Sequence, residues 1–349
     1  MQISRRNLTL GLAGTMAAPW VPGAAAKSAE APFDVMPYVH PDLRPMAGQL
    51  AKFRANSFVS DATLADARKG QSAYIMPPLA APAHREEIIP GPRDNPALKV
   101  YVINEGDKGK PRPAILHMHG GGYILGTAMG EMRGAQQTAA DLDCVVVTVE
   151  YRLAPETKFP GPLEDNYAAL KWLYANAEKL GVDRGRIAVM GGSAGGGHAA
   201  MLSIAARNRG EVPICYQALT YPMLDDRTGS TVKKPPQMGA LIWTPESNRY
   251  GWTSLLGVPA GSRKVPAGAV PAREVNLAGL PPTFIGVGTI DLFFDEDVEY
   301  ARRLADAGVS VELAVAPGCF HGFNMFETAP VTQRYLAHFK AALRRGLGV

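Results

Sequence analysis

Ser193 is the residue of this sequence with the clearest potential for covalent chemistry. It lies in the stretch Gly191-Gly192-Ser193-Ala194-Gly195, directly after the apolar run RIAVM of residues 186–190. A Gly-x-Ser-x-Gly turn between a strand and a helix exposes its serine as a nucleophile, and the glycines avoid clashes with the adjoining elements. The alternatives are a flexible surface turn and a phosphate-binding helix start, but the latter usually has a Lys after its glycines. The pattern therefore predicts a nucleophilic serine.

A second glycine-rich stretch can donate hydrogen bonds to a developing oxyanion, which a serine nucleophile requires. The stretch HMHGGGY, residues 117–123, ends a strand-like run with three consecutive glycines. Their backbone N–H groups are not obstructed by side chains, although a flexible loop is an alternative interpretation. Glycine loops of this kind accompany the serine turn in esterases. We predict that the N–H groups of Gly121, Gly122 and Ala194 form the oxyanion hole.

The base and its orienting acid are predicted near the carboxyl end of the chain. His321 lies in the loop sequence PGCFHGF, residues 317–323, after the last strand-like run. Asp291 ends an earlier apolar run, at the carboxyl edge of the predicted sheet. The acidic residues 295–297 are rival candidates, but they fit the first turn of a helix, where carboxylates are favoured. The order Ser193, Asp291, His321 is that of an α/β-hydrolase triad.

Strand-like and helix-like segments alternate from residue 98 onward. Apolar runs predict strands at 98–103, 114–119, 144–151, 186–190, 215–223, 283–289 and 309–317. Helical spacing predicts helices at 163–180, 195–208, about 295–307 and about 330–345. This alternation predicts an α/β fold in which helices flank a mostly parallel, twisted sheet.

Two segments interrupt the alternation and are predicted to form a helical cap over the carboxyl edge of the sheet. They are the amino-terminal region 27–80, which is punctuated by Pro, and the insertion at about 225–275 within the α/β core 81–349. An interruption of that length is usually functional or disordered. Aromatic residues are candidates for substrate binding in an apolar pocket, with ordinary core packing as the alternative; they are Tyr123, Trp243, Tyr250, Trp252, Phe293 and Phe294.

Residues 1–26 are predicted to be a twin-arginine-type signal segment. The sequence SRRNL at residues 4–8 is followed by a moderately apolar stretch and by three alanines at 24–26. An amphipathic or disordered amino terminus is the alternative. Export predicts a periplasmic or secreted protein without stable membrane insertion, since the apolar stretch is too short to span a bilayer.

The composition argues against several other classes of protein. The 36 basic and 32 acidic residues give a net charge of +4 without a dense basic stripe, so nucleic acid is not an expected partner. Cys144, Cys215 and Cys319 cannot all pair with one another, and no spaced set of metal ligands accompanies them. We predict no disulfide, no metal and no cofactor. The last strand and the segment 333–345 offer an edge for a possible homodimer.

Together these motifs resemble those of the bacterial hormone-sensitive-lipase-like (family IV) carboxylesterases, which have the α/β-hydrolase fold. The resemblance runs from about residue 98 to the end and is carried by HGGGY (119–123), EYRLAPETKFPGPLEDNYAALKWL (150–173), GGSAGG (191–196) and HGF (321–323). Two departures are Gly192, where many relatives carry Asp, and DLFFDED (291–297) in place of Asp-Pro-Leu-Arg-Asp-Glu-Gly.

The resemblance implies hydrolysis of carboxylesters without a cofactor, through the triad named above, in an enzyme that carries a helical cap. Compact caps in this family suit small-molecule esters with short or medium acyl chains. The alternatives are an amidase, a lactonase or a sugar acetyl esterase with the same triad. A non-catalytic ligand-binding relative is a further alternative, which predicts that the nucleophile or the base is lost.

Overall fold

The structure is a computed structural model that describes residues 33–53, 58–73, 75–92, 96–106 and 109–349. The predicted signal segment, 1–26, lies outside the described residues. Residues Asp34–Val349 form one compact unit, which includes the insertion at about 225–275 and the predicted amino-terminal cap region from Asp34 onward.

A single sheet carries the fold, and eight strands of the described residues form it in the order β1-β2-β4-β3-β5-β6-β7-β8. The strands are β1 His84–Ile89, β2 Leu98–Ile103, β3 Arg112–Met118, β4 Val145–Val149, β5 Val182–Gly192, β6 Tyr216–Thr220, β7 Thr283–Gly288 and β8 Val311–Ala316. In this order, neighbouring strands from β4 to β8 are parallel to each other. β2 is antiparallel to both of its neighbours, β1 and β4. The predicted mostly parallel sheet is therefore confirmed, with one strand, β1, that the sequence pattern missed.

Helices cover both faces of the sheet. They are α1 Arg44–Phe53, α2 Leu64–Ala73, α3 Met132–Leu142, α4 Gly161–Ala175, α5 Ala177–Leu180, α6 Ala194–Arg209, α7 Pro245–Leu256, α8 Phe294–Asp306 and α9 Pro330–Leu347. Side chains of α3 and α9 share one hydrophobic cluster, and those of α4, α6 and α8 share the other. β3, β4, β6 and β7 are buried throughout because apolar side chains on both of their faces meet these helices.

The helices depart from the sequence-based predictions in two places. The predicted helix 163–180 is interrupted at Asn176, whose side chain donates a hydrogen bond to Trp172 O, and it ends at Gly181 in the left-handed conformation. Helix α3 was not predicted. Its buried face has helical spacing, but only Met132 and Leu142 are large apolar residues, and the other buried residues are Ala135, Gln136 and Ala139.

The described helices contain none that is both long and apolar enough to cross a membrane. All three cysteines are free thiols. Burial raises the pKa of Cys144 and Cys319 to about 12 and that of Cys215 to about 11, so all three remain protonated at neutral pH.

Candidate active site

Ser193 lies at the sharp turn where β5 ends and α6 begins. Its backbone has φ 55° and ψ −123°, a strained conformation for a residue with a side chain. Three backbone hydrogen bonds hold the turn: Ser193 donates to Thr220 O at 2.9 Å, and its carbonyl accepts from Gly197 at 3.0 Å and from Met223 at 2.9 Å. The turn therefore has the strand–turn–helix context predicted for a nucleophile.

The glycines beside Ser193 differ in how much space surrounds them. A Cβ on Gly195 would lie 2.1 Å from Met118 O, and one on Gly191 would lie 2.3 Å from the Gly195 carbonyl carbon. Neither position can hold a side chain unless the backbone moves. At Gly192 the nearest atom to such a Cβ is 3.6 Å away, and φ lies outside the left-handed region. The absence of a side chain at 192 is therefore not a steric requirement of the turn.

We expect Gly192→Ala and Gly195→Ala to have opposite effects on stability. Gly192→Ala should be neutral or stabilise the fold by up to about 1 kcal/mol, because alanine lowers the entropy of the unfolded chain. Gly195→Ala should destabilise it by about 1–3 kcal/mol or more through overpacking against the end of β3. Urea unfolding of both variants measures the difference. Equal losses in the two would contradict the distinction between these positions.

The structure brings His321, Asp291 and Ser193 together in one hydrogen-bonded series. His321 Nε2 lies 2.9 Å from Ser193 Oγ, and Nδ1 lies 2.9 Å from Asp291 Oδ2 and 3.2 Å from Oδ1. The carboxylate can only accept, so Nδ1–H donates to it and Nε2 is left to accept from the serine hydroxyl. Asp291 is fully buried, and its Oδ1 also accepts from the Phe293 N–H at 2.9 Å. The hydrogen bonds from His321 and from the Phe293 N–H together fix the orientation of the Asp291 carboxylate.

The rival carboxylates have other surroundings. Asp295 is 54% exposed and pairs with Lys234 Nζ at 2.6 Å. Glu296 accepts hydrogen bonds from the backbone N–H groups of Leu224 and Asp225 at 2.7 and 3.0 Å. Burial raises the pKa of Glu296 and of Asp297 well above the usual range. Among the described residues, only Asp291 places a carboxylate against the imidazole of His321.

The glycine loop after β3 adopts a conformation that favours glycine. Gly121 and Gly122 have φ of 122° and 60°, and a Cβ on Gly122 would lie 2.0 Å from Trp243 Cη2. Within the described part of the chain, the N–H groups of Gly121, Gly122 and Ala194 donate to no protein atom. These three predicted oxyanion donors are therefore available to a ligand.

Glu131 stabilises the glycine loop from the core side, which the sequence did not predict. Its Oε1 accepts from the Gly120 N–H at 2.7 Å, and its Oε2 lies 3.1 Å from His117 Nε2. Burial raises the pKa of Glu131, but its hydrogen bonds with His117 and Gly120 and its electrostatic interactions with His117 and His119 together outweigh burial, and the pKa is lowered overall. His119 lies beside the same loop, with Nδ1 2.8 Å from Gly120 O, and burial lowers its pKa to about 4, so it is neutral at pH 7. Both histidines therefore help to shape the loop.

Helix α2 binds the other end of this loop. Arg68 Nε donates to Ile124 O at 2.9 Å, and Arg68 Nη2 donates to Ala154 O at 2.9 Å. Gln71 Oε1 accepts from the Gly126 N–H at 2.8 Å. No sequence motif marked these contacts, because Arg68 is 56 residues from Ile124. The amino-terminal region therefore contributes directly to the position of the loop.

Three of the aromatic residues predicted to bind substrate are packed in the core. Trp252 is fully buried, with its ring 4.9 Å from that of Tyr123, and the Tyr123 hydroxyl donates to Met223 O at 2.7 Å. Phe293 is also buried and contacts His321 edge-on, at 5.2 Å between ring centroids. Tyr123, Trp252 and Phe293 are therefore residues of the core, which was the alternative to substrate binding. Phe293 also packs against the imidazole of His321.

The other three candidates differ in burial: Trp243 is 7% exposed, whereas Tyr250 and Phe294 are half-buried. Trp243 packs on Gly122 and donates through Nε1 to Asn248 Oδ1 at 3.1 Å. Tyr250 is half-buried, and its hydroxyl donates to Asp61 at 2.7 Å. Tyr250 therefore joins α7 to the amino-terminal region, and Trp243 lies against the glycine loop itself.

Comparison with known proteins identifies the family. A family model described as alpha/beta hydrolase fold matches residues 115–325, which is more than half of the chain. Esterase LipI of Mycobacterium tuberculosis is 35% identical over 67% of this chain and 73% of its own length. The ethyl acetate hydrolase of Pseudomonas putida is 33% identical over 65% of this chain and 70% of its own length.

Solved structures agree with these relatives. The structure described as Bacterial Heroin Esterase superposes with a TM-score of 0.81 at 38% identity, covering 90% of this chain and 99% of the other. This agreement extends beyond the matched sequence region to most of the described residues. The chain, with its parallel sheet and its serine turn opposite a glycine loop, therefore belongs to the α/β-hydrolase family, in the hormone-sensitive-lipase-like branch that its motifs resemble.

Proposed function

We propose that this protein is a serine carboxylester hydrolase that acts on small esters with short to medium acyl chains. The observation that carries the proposal is the position of His321, 2.9 Å from Ser193 Oγ through Nε2 and 2.9 Å from Asp291 through Nδ1. The unpartnered N–H groups of Gly121, Gly122 and Ala194 support it, as do the relatives named esterase and ethyl acetate hydrolase.

In the first half of the reaction, His321 Nε2 takes the hydroxyl proton while Ser193 Oγ attacks the ester carbonyl. The carbonyl oxygen becomes an oxyanion and accepts hydrogen bonds from Gly121, Gly122 and Ala194, each worth about 3–4 kcal/mol at the transition state. Asp291 stays ionised and stabilises the imidazolium. His321 then gives its proton to the alcohol oxygen as the bond to carbon breaks, which leaves Ser193 acylated.

In the second half, water replaces the alcohol. His321 Nε2 takes a proton from the water as it attacks the acyl carbonyl, and the oxyanion forms again against the same three N–H groups. Collapse of this intermediate releases the carboxylic acid, and the imidazolium returns its proton to Ser193 Oγ. Apart from the ester and water, both halves of the reaction use only side chains and backbone N–H groups of the described residues.

Hydrolysis of p-nitrophenyl esters from acetate to decanoate tests the proposal. We expect the highest kcat/KM among the short and medium acyl chains and a lower value for decanoate, because Trp243 of the insertion lies directly against Gly122 of the glycine loop and leaves less room for a long chain. The corresponding anilide distinguishes an amidase, which would cleave it at a comparable rate. If the folded protein hydrolyses none of these esters above the buffer rate, the catalytic proposal is wrong. A maximum at decanoate would contradict only the acyl preference.

We propose further that residues 1–26 direct export through the twin-arginine route. The order of SRRNL, an apolar stretch and three alanines supports this proposal. Sequencing the amino terminus of protein recovered from the periplasm or medium tests it. The possible homodimer at the β8 edge likewise stays a prediction, and the mass of the protein in solution tests it.

A further inference from the structure

Ile242 has an unusual backbone conformation beside the site. Its φ is 64°, and the Trp243 N–H donates to Leu241 O at 2.8 Å, which makes Ile242 the centre of a three-residue turn with positive φ. This turn is rare and strained, and more so for a β-branched residue. Packing of Trp243 against Gly122 and its hydrogen bond to Asn248 hold the next residue in place. The strain at 242 presents an isoleucine side chain that is 39% exposed.

A second exposed apolar side chain meets Ile242 over Gly322, the residue after His321. Met325 belongs to the short helix Phe323–Met325 and is 62% exposed. A Cβ on Gly322 would lie 2.9 Å from Met325 Cε and 3.2 Å from Ile242 Cδ1. The ends of both side chains therefore lie within contact distance of the backbone next to the imidazole. Strained residues with positive φ cluster at active sites and ligand-binding positions, so the Ile242 side chain beside the base is a candidate for contact with substrate.

We propose that Ile242 and Met325 form an apolar wall that binds the alcohol part of the ester. This inference rests on the proposed function. His321 Nε2 must give its proton to the alcohol oxygen, so the alcohol lies on the imidazole side of Ser193 Oγ. The carbonyl oxygen points instead to the donors at Gly121, Gly122 and Ala194. The wall next to His321 therefore faces the alcohol.

The chemistry of the wall defines the class of alcohol. Ile242 and Met325 offer only hydrocarbon and thioether surface, and the amide oxygen of the neighbouring Asn324 is already bonded to the Tyr221 hydroxyl. A wall of this kind binds alkyl chains. Esters of longer unbranched aliphatic alcohols, such as butanol and hexanol, are therefore preferred substrates over esters of ethanol.

Acetate esters of ethanol, butanol and hexanol test the wall. All three give the same acetyl-enzyme, so differences in kcat/KM arise from acylation and report contacts with the alcohol. A fully buried methylene group favours binding about fourfold, so the wild type should prefer hexyl acetate. The double variant Ile242→Ala/Met325→Ala should reduce the hexyl-to-ethyl ratio at least about fivefold, with ethyl acetate nearly unchanged. Met325→Gln, which keeps the side-chain length, should reduce the ratio as well.

Ile88→Ala is the matched control, because Ile88 is 56% exposed on β1 and should leave the ratio unchanged. Thermal unfolding of each variant checks the fold, and the ratio cancels any general loss of active protein. An unchanged ratio in both wall variants would overturn the inference, as would a shift confined to the acyl series of p-nitrophenyl esters. Both results leave the proposed function intact, whereas a wild type that hydrolyses no ester would refute that function.

Discussion

Replacing Ser193 by alanine is expected to lower kcat for p-nitrophenyl acetate by at least about 10⁴-fold. The variant loses the only oxygen that His321 Nε2 can activate in the described site, so no acyl-enzyme can form. The remaining oxyanion donors and binding contacts give only a small rate above the uncatalysed reaction. Steady-state rates with purified protein measure the loss, and mass spectrometry with a phosphonate ester checks that Ser193 is the residue that is modified.

Ser203→Ala is the matched control for that experiment. Ser203 is buried in the same helix, α6, and its hydroxyl donates to Ala199 O at 2.9 Å within the helix. Losing this hydroxyl should change kcat by less than a factor of about two. Equal rates for the wild type and Ser193→Ala would show that hydrolysis does not proceed through this serine.

Asp291→Asn is expected to lower kcat by about 10³–10⁴-fold while the fold is retained. An amide has no charge to stabilise the imidazolium, and it can favour the wrong tautomer of His321. The asparagine carbonyl can still accept from the Phe293 N–H, which keeps the side chain in place. Rates with p-nitrophenyl acetate and unfolding in urea separate the loss of catalysis from any loss of stability.

Two neighbouring acids provide the comparison for Asp291. Asp295→Asn removes an exposed ion pair with Lys234, and Glu296→Gln imitates the protonated form that burial favours. Both variants should keep activity within about threefold of the wild type. A loss at 295 that exceeds the loss at 291 would transfer the role of the acid to Asp295.

The residues of the site could be predicted from the sequence where steric demands act on neighbouring positions. Gly191 and Gly195 are glycines because backbone atoms occupy the space of a Cβ, and that requirement is visible as a motif around Ser193. Asp291 was separable from Asp295 because Asp291 follows a buried strand, whereas Asp295 lies in the first turn of a helix. The α/β fold was predictable for the same reason, since strands buried on both faces give continuous apolar runs.

Other parts of the site depend on contacts between distant segments. Glu131 immediately precedes α3, a helix that the sequence pattern did not predict, and it contacts Gly120 only in the folded chain. The roles of the aromatic residues likewise follow from packing, since Trp252 lies against Tyr123 whereas Trp243 lies against Gly122 of the glycine loop. Single-sequence patterns carry no information on such pairings.

The attachment of α2 to the loop at residues 124–126 has a consequence for engineering. Arg68 and Gln71 belong to the amino-terminal region, yet they hold a loop whose other end carries Gly121 and Gly122. A chimera that receives this region from a relative, in order to accept a different ester, would also alter how firmly the loop is anchored. An exchange of the amino-terminal region is therefore expected to change the turnover rate together with the ester selectivity. To keep the hydrogen bonds of Arg68 and Gln71, the loop at residues 124–126 would have to be exchanged with it.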